Sequence, residues 1–418
     1  MLELDGAEEF DAARDAEFFG ALPARSGVLL IEIYDSAAQP YLARTADIRR
    51  AAERLLRPPD SGSKRLNLRA VAARIRYRVT GSKFEQTFTL YQHARARLPG
   101  RYRDLLRLRP PAVLKVNLRN AYPRCYVTRS IRADEGFYVG PFASRRAAEA
   151  FANDFLDLFK TRRCQIKIRR DPSFPGCIYS EMKMCLAPCF AGCTAEEYAA
   201  EVGRVLETLG TAGEALTSQI EREREAASGA LDFERAAALH KRLDKVSGVL
   251  RGLPEIARRI ERLDAVIVAR AADEKSVAVF PLRGGLLQEP VLLRFGEISS
   301  QPRSVEAILR QALESSPAKD DYAQETDATS EASNATLVAP QAPESAWRAR
   351  YGLRSAPPEL AEHLSLVARW YYSKPREGEI LFRDDDWPYR RILRACGRVL
   401  SAPEPSPAPP QTSVPPNA

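Results

Sequence analysis

No stretch of the 418-residue sequence stays apolar for the roughly 20 residues that a bilayer-spanning helix needs, so no membrane partner is expected. The opening segment, MLELDGAEEFDAARDAEFF, is acidic and carries no charged-then-apolar leader; nothing in it directs secretion, and a cytoplasmic location is expected. The 7 cysteines include no C-x2-C knuckle of the kind that marks zinc ribbons. In a reducing compartment they are also poor candidates for disulfides. What is present instead is a cluster, Cys164, Cys177, Cys185 and Cys189, in the frame C-x12-C-x7-C-x3-C. Thiolate is a soft ligand, and four thiolates close a tetrahedral zinc site or hold the irons of an iron–sulfur cluster. The uneven spacing, with only the last pair one helical turn apart and Pro188 just before Cys189, is nearer to cluster ligation. The plain alternative is a set of small buried hydrophobes that happen to be neighbours.

Net charge is +8 and unevenly spread. Basic residues greatly outnumber acidic ones between Lys64 and Arg132, whereas the N-terminal segment is acidic. A basic block interleaved with aromatics suits a phosphate-rich partner such as a nucleic acid, with Arg49, Arg50, Arg74 and Arg76 as candidate contacts. A solvated arginine-rich surface is the alternative. With 45% hydrophobic residues the chain can bury more than one core, and two or three compact units are expected.

From Ser26 the run SGVLLIEIYD reads as a strand, followed by a turn at 36–40 and a short strand at 40–44. Asp47 is a plausible N-cap for the helix IRRAAERLL, which Pro58 and Pro59 stop. Alternating apolar and basic residues after Leu68 predict a further strand and then a helix. Past Arg107 the pattern is that of paired strands around turns at Arg119-Asn120 and 134–136. Beyond the cysteines, Thr194 and Glu197 have capping-box spacing. Apolar residues Leu216, Ile220 and Ala227, then Ala236, Leu239, Leu243, Val246 and Leu250, recur at three and four, which predicts a short antiparallel helical hairpin. His240 falls on its charged face as a solvated side chain.

The runs FYVGPFASRRAAEAFANDFLDLFKTRRC and CIYSEMKMCLAPC, followed by EEYAAEV, resemble the middle of the bacterial excinuclease UvrC family. That resemblance implies a [4Fe-4S] cluster held by Cys164, Cys177, Cys185 and Cys189, with zinc as the alternative and Cys193 as a spare thiol. The string ALDFERAAALHKRLDKV resembles the UVR motif. It implies docking on the matching motif of UvrB through Phe233, Glu234, Ala237 and Leu243. The order strand, strand, helix, strand, helix near the N-terminus is similar to the GIY-YIG nuclease module of the same family. Such a nuclease needs a carboxylate for one Mg2+ or Mn2+ ion, with tyrosines and an arginine around it. In this sequence Leu90 stands where the family has its metal-binding Glu, Leu29 replaces the first-strand Tyr, Ala43 a Gly and Ala51 an Arg. Tyr41 survives, and Arg44 stands in place of a lysine. The module therefore reads as a retained fold with a disabled site; a nuclease using Glu85 in a shifted register is the alternative.

The segment LDAVIVARAADEKSVAVFPLRGGLLQEPVLLRF reads as three strands with turns at Asp273-Glu274 and Gly284-Gly285, followed by a helix at 305–313. A last helix, PPELAEHLSLVARWYYS, presents Leu360, Leu364, Val367, Trp370 and Tyr371 on one face. Asp384, Asp385 and Asp386 are expected to be solvated. The family's ribonuclease-H-like nuclease and helix-hairpin-helix pair have no counterpart here. The expected fold class is multidomain α+β. Its parts are an acidic segment (1–20), a degenerate GIY-YIG-like module (21–107), a β-linker with the cysteine region (108–195) and a helical region with the UVR motif (196–252). A small β-sheet (258–314), a disordered linker (315–345), a C-terminal helical segment (346–400) and a Pro-rich tail (401–418) complete it. The functional expectation is a repair protein that binds DNA and UvrB without cutting. An active endonuclease and an iron–sulfur redox sensor that binds DNA are the alternatives.

Overall fold

The computed structural model describes residues 1–35, 38–59, 64–296, 304–314 and 344–402. The expected disordered linker and the Pro-rich tail lie almost wholly outside them, as does part of the turn at 36–40.

The first sheet contains β1 (Gly6–Glu9), β2 (Gly27–Ile33), β3 (Tyr41–Thr45) and β4 (Ala72–Val79), all antiparallel in the order β1-β4-β2-β3. α1 (Asp15–Ala21) and α2 (Ile48–Leu56) cover one face, and α3 (Lys83–Arg97) covers the other, followed by the short α4 (Tyr102–Leu105). Because side chains alternate along a strand, β2 sends Leu29 and Ile31 towards α1 and α2, and Val28 and Leu30 towards α3. Asp47 caps α2 as the sequence predicts, accepting from the Arg50 amide at 2.9 Å.

The acidic N-terminal segment is part of this sheet. Leu2, Leu4, Phe10, Phe18 and Phe19 are buried, and β1 lies along the edge of β4 with Glu9 paired to Arg74 at 2.7 Å. Composition alone marked the segment as acidic; the few apolar residues between its acids hold it in place, and cross-strand charge pairing matches it to the basic strand.

The second sheet, in the order β6-β5-β7-β8, holds β5 (Ala112–Val116), β6 (Cys125–Thr128), β7 (Phe137–Phe142) and β8 (Arg258–Arg259). α5 (Arg145–Leu156) packs on it through Phe151 and Phe155. A loop with one short helix, α6 (Ile178–Glu181), carries the cysteines into α7 (Ala195–Gly210). Thr194 and Glu197 form the expected capping box, each side chain accepting from the other's amide at 2.8 and 3.1 Å. The hairpin follows as α8 (Glu214–Gly229) and α9 (Phe233–Leu250).

The third sheet runs β11-β10-β9-β13, with β9 (Ala265–Arg270), β10 (Ser276–Arg283), β11 (Leu286–Leu287) and β12 (Val291–Arg294), the last also paired to β10. α10 (Val305–Glu314) precedes the undescribed 315–343, and α11 (Glu344–Tyr351) follows it. Then come α12 (Pro358–Tyr371), β13 (Glu379–Phe382) and α13 (Tyr389–Ser401). Residues 346–400 are thus no separate appendage. β13 completes the third sheet, and α12 is buried between that sheet and α3, with Trp370 5.4 Å from Phe84 and Phe84 5.0 Å from Phe280. The expected apolar face of α12 makes this contact, and its polar residues join in. The buried Glu362 carboxylate accepts from Tyr91 Oη and Tyr102 Oη, both at 2.7 Å, and from Arg103 at 2.8 Å. At the same junction Gly81 lies so close to Ala271 that a Cβ would meet its carbonyl oxygen at 2.0 Å.

Candidate functional site

The cysteine loop is held from several sides. Leu186 donates its amide to Lys160 O and Asp171 to Cys189 O, both at 2.9 Å; Ala187 and Ala191 take left-handed backbone around the turn Pro188–Phe190. Tyr198, buried at the start of α7, donates its hydroxyl to Pro123 O and accepts the Arg162 amide. Arg162 is itself buried and donates to the carbonyls of Tyr122, Cys164 and Ile166. This brace, which spacing and composition did not single out, anchors the chain on either side of the first cysteine.

Around that frame Cys185 lies within electrostatic reach of Cys164, Cys177 and Cys189, and Cys189 within reach of Cys164 and Cys177. Burial, opposed in part by the Ala187 amide donating to its sulfur at 3.3 Å, pushes the Cys185 thiol up to about 11. The Phe190 amide donates towards the Cys189 sulfur in the same way. Amide donors aimed at sulfur are what a thiolate ligand needs from its surroundings. Cys193 departs from the group: it is buried in the apolar core with Tyr198 and Val202. Four thiols and no imidazole or carboxylate fit a four-thiolate cluster or zinc in number and kind. Among the described residues, no three His, Cys, Asp or Glu side chains already stand where they could hold one metal ion.

The first sheet separates the residues picked out there. Leu29 and Ala51 are buried in the core on the α1–α2 face, with Tyr41 packed beside them. Arg44 lies on the other face, donating to Thr87 at 3.2 Å, and Leu90 is buried in the core there. Tyr41 and Arg44 are an odd number of residues apart on one strand and so cannot face one site. Glu85, the one acid of α3, is 3% exposed; it accepts from the Gly81 amide at 3.0 Å and pairs with Arg78 at 3.4 Å. Burial raises its pKa against the pull of those partners.

The four candidate DNA contacts are not one patch. Arg49 donates to the carbonyls of Leu22 and Gly20 at the end of α1, while Arg50 is exposed on the next position of α2. Arg74 is paired with Glu9 and Arg76 donates to Leu4 O, both at the β1 edge and both on the α3 side of the sheet. Of the four, Arg74 has its charge matched by the acidic strand, a pairing that composition could not reveal.

On the hairpin, Phe233 is 67% exposed, and Glu234 and Ala237 share that exposure. Leu231, 72% exposed, extends the apolar tip. Leu243 is half-buried and packs against the core with Leu239 and Val246, as its place in the expected seam requires. His240 is exposed beside Asp244, and Asp384, Asp385 and Asp386 are exposed, as expected. No helix among the described residues is long and apolar enough to cross a membrane.

Residues 112–208, which hold strands β5 to β7 of the second sheet, α5, the cysteine loop and most of α7, match the family model for the UvrC/Cho excinuclease middle domain. The chain is 34% identical over 202 residues to UvrABC system protein C of Nitratidesulfovibrio vulgaris, covering 47% of this chain and 27% of that one. It is 30% identical over 174 residues to the protein of the same name from Dehalococcoides mccartyi, covering 42% and 28%. With the one from Carboxydothermus hydrogenoformans the identity is 28% over 282 residues, covering 67% and 46%. The chain therefore spans less than half the length of these curated relatives, and no solved structure matches it. The likeness to the UvrC/Cho excinuclease family is thus carried by the middle domain at residues 112–208.

Proposed function

We propose that this protein is a non-cutting UvrC-like factor of nucleotide excision repair, which binds DNA and docks on UvrB through the α8–α9 hairpin. The middle-domain match supports the repair role. The observation that carries the non-cutting reading is α3: its one acid is Glu85, buried and engaged by Gly81 and Arg78, while Leu90 lies in the core. A metal-dependent nuclease needs a carboxylate that can reach both ion and phosphate. On this reading the GIY-YIG-like order of elements from Gly27 to Arg97 is a scaffold.

Cys164, Cys177, Cys185 and Cys189 are the residues that would hold the [4Fe-4S] cluster, and Cys193 is not one of them. When bound, such a cluster would tie the loop to the second sheet and supply a one-electron redox centre. This chain's own contribution is the brace of Arg162 and Tyr198 and the amide donors at the sulfurs. The exposed Leu231–Phe233 tip supports the docking role, because an exposed aromatic at a hairpin tip is a typical anchor.

A nicking assay on damaged duplex, with UvrB and either Mg2+ or Mn2+, tests the reading. No incision is expected from the protein as it stands or from Leu90→Glu, which places a carboxylate in an apolar core. Strong metal-dependent nicking that is lost in Glu85→Gln would return the chain to the nucleases.

A further inference from the structure

Several arginines around the first sheet have an acidic partner: Arg74 with Glu9, Arg78 with Glu85, Arg95 with Glu359, Arg103 with Glu362. Another group, gathered in one place, has none. A groove of about 320 Å3 opens where the loop after α4, the end of β6, the start of α5 and α12 converge, and it is lined by Arg107, Arg109, Arg129 and Arg369 with no Asp or Glu. None of the four makes an ion pair among the described residues. Arg129 and Arg369 donate one group each to the loop carbonyls Pro110 O and Leu106 O, which fixes the two side chains and leaves their charge unmatched. Partial burial and the charge of Arg44 push the Arg369 guanidinium below its ordinary value, so the positive field continues past the groove towards β3.

Two further features point inward. Ser365, 7% exposed on α12, lines the groove with a hydroxyl that has no hydrogen-bond partner among the described residues. Ser144, the N-cap of the 12-residue α5, also lines it, so the positive end of that helix opens there. Several guanidinium groups, a hydroxyl that no protein group engages among the described residues and a helix N-terminus together recognise anionic oxygen, and phosphate above all.

We infer that this groove seats the phosphodiester backbone of a nucleic-acid strand. The inference rests on the DNA-binding reading and gives it a place other than Arg49, Arg50, Arg74 and Arg76. A strand is favoured over a lone small phosphate because the unmatched charge runs on to Arg44, as a series of phosphates requires and a single one does not.

The test is fluorescence anisotropy of a short labelled DNA duplex against the full chain over a salt series, with inorganic phosphate titrated separately. Each phosphate contact contributes about 0.9 to the slope of log affinity against log salt, so Arg109→Gln should flatten it by about 1 and weaken binding about tenfold. Arg109 has no hydrogen bond or ion pair among the described residues, so its replacement should leave the melting temperature unchanged. The triple variant Arg107→Gln, Arg109→Gln, Arg129→Gln should flatten the slope by about 3, and Ser365→Ala should weaken binding without changing it. A steep slope that the Arg109 and triple variants leave intact overturns the groove and keeps the nucleic-acid reading. No binding of duplex by the unmodified protein overturns both. Tight binding of inorganic phosphate at the groove without binding of duplex overturns the strand as its ligand.

Discussion

At the scale of single residues, burial decides which of the chemically interesting groups are free to act. Cys193 and Cys185 differ little in sequence terms, since both lie in the same short stretch. Cys193 packs in the apolar core, whereas Cys185 has three other thiols within electrostatic reach and an amide aimed at its sulfur. Protein purified without oxygen should therefore be brown and carry iron and sulfide in about equal amounts. Cys177→Ala and Cys185→Ala should lose the colour and much of the soluble yield, because ligation and folding are linked. Cys193→Ala should keep the colour and cost only the roughly 1 kcal/mol of a small core truncation. Stoichiometric zinc without sulfide would assign the site to zinc instead.

At the scale of elements, the hairpin divides its apolar residues between two tasks. Leu239, Leu243 and Val246 form the seam against α8 and the core beneath it, and Phe233 stands free at the tip. The seam was readable from spacing alone, because a 3.6-residue period puts those positions on one stripe. Which residues stay outside was only partly readable: Leu243, expected in both the seam and the docking set, is half-buried against the seam. Phe233→Ala should weaken the complex with UvrB by about 2 kcal/mol or more, since one aromatic often carries a small interface. Its circular dichroism and melting temperature should not change, because an exposed ring contributes little to the fold. Calorimetric titration of UvrB with the variant, beside a thermal melt, checks both; unaltered affinity would remove Phe233 as the anchor.

At the scale of the whole molecule, α12 joins the first sheet's helical face to the third sheet, and its buried polar residues make that junction sensitive to pH. His363 accepts the Leu287 amide at 3.1 Å, and burial lowers its pKa to about 4, against the opposing pull of Glu359 and Glu362. The folded state thus favours the neutral ring, while the unfolded chain binds a proton near pH 6.5. Stability from this group is present above pH 6.5 and is lost as pH falls towards 4. The full contribution is about 3 kcal/mol, of which about 2 should go between pH 6.5 and 5. Glu359 and Glu362 have lowered values and stay ionised in that window, and His93, also lowered by burial, sets a residual slope. Urea midpoints for His363→Gln, which keeps an acceptor for Leu287 without titrating, should fall less over this range than those of the unmodified protein. Equal falls would show that the ring does not carry the effect.

The sequence by itself determined what is local. The cap of α2 at Asp47, the capping box of Thr194 and Glu197, the hairpin's seam and the strands β2, β9 and β10 follow from short-range spacing and hydrogen bonding, and they are found where the local pattern puts them. Only the tertiary structure decided what depends on partners far apart in the chain. The acidic N-terminus became the edge strand that matches Arg74, and α12 and β13 became parts of the junction and the third sheet. Arg129 joined three other arginines from distant segments in a groove without an acid. The physical reason is the same in each case. Charge and apolar surface are properties of single residues, but whether they are matched, buried or left open depends on what folding brings within a few ångströms, and those partners lie far off in the chain, as Arg369 and Leu106 do, 263 positions apart.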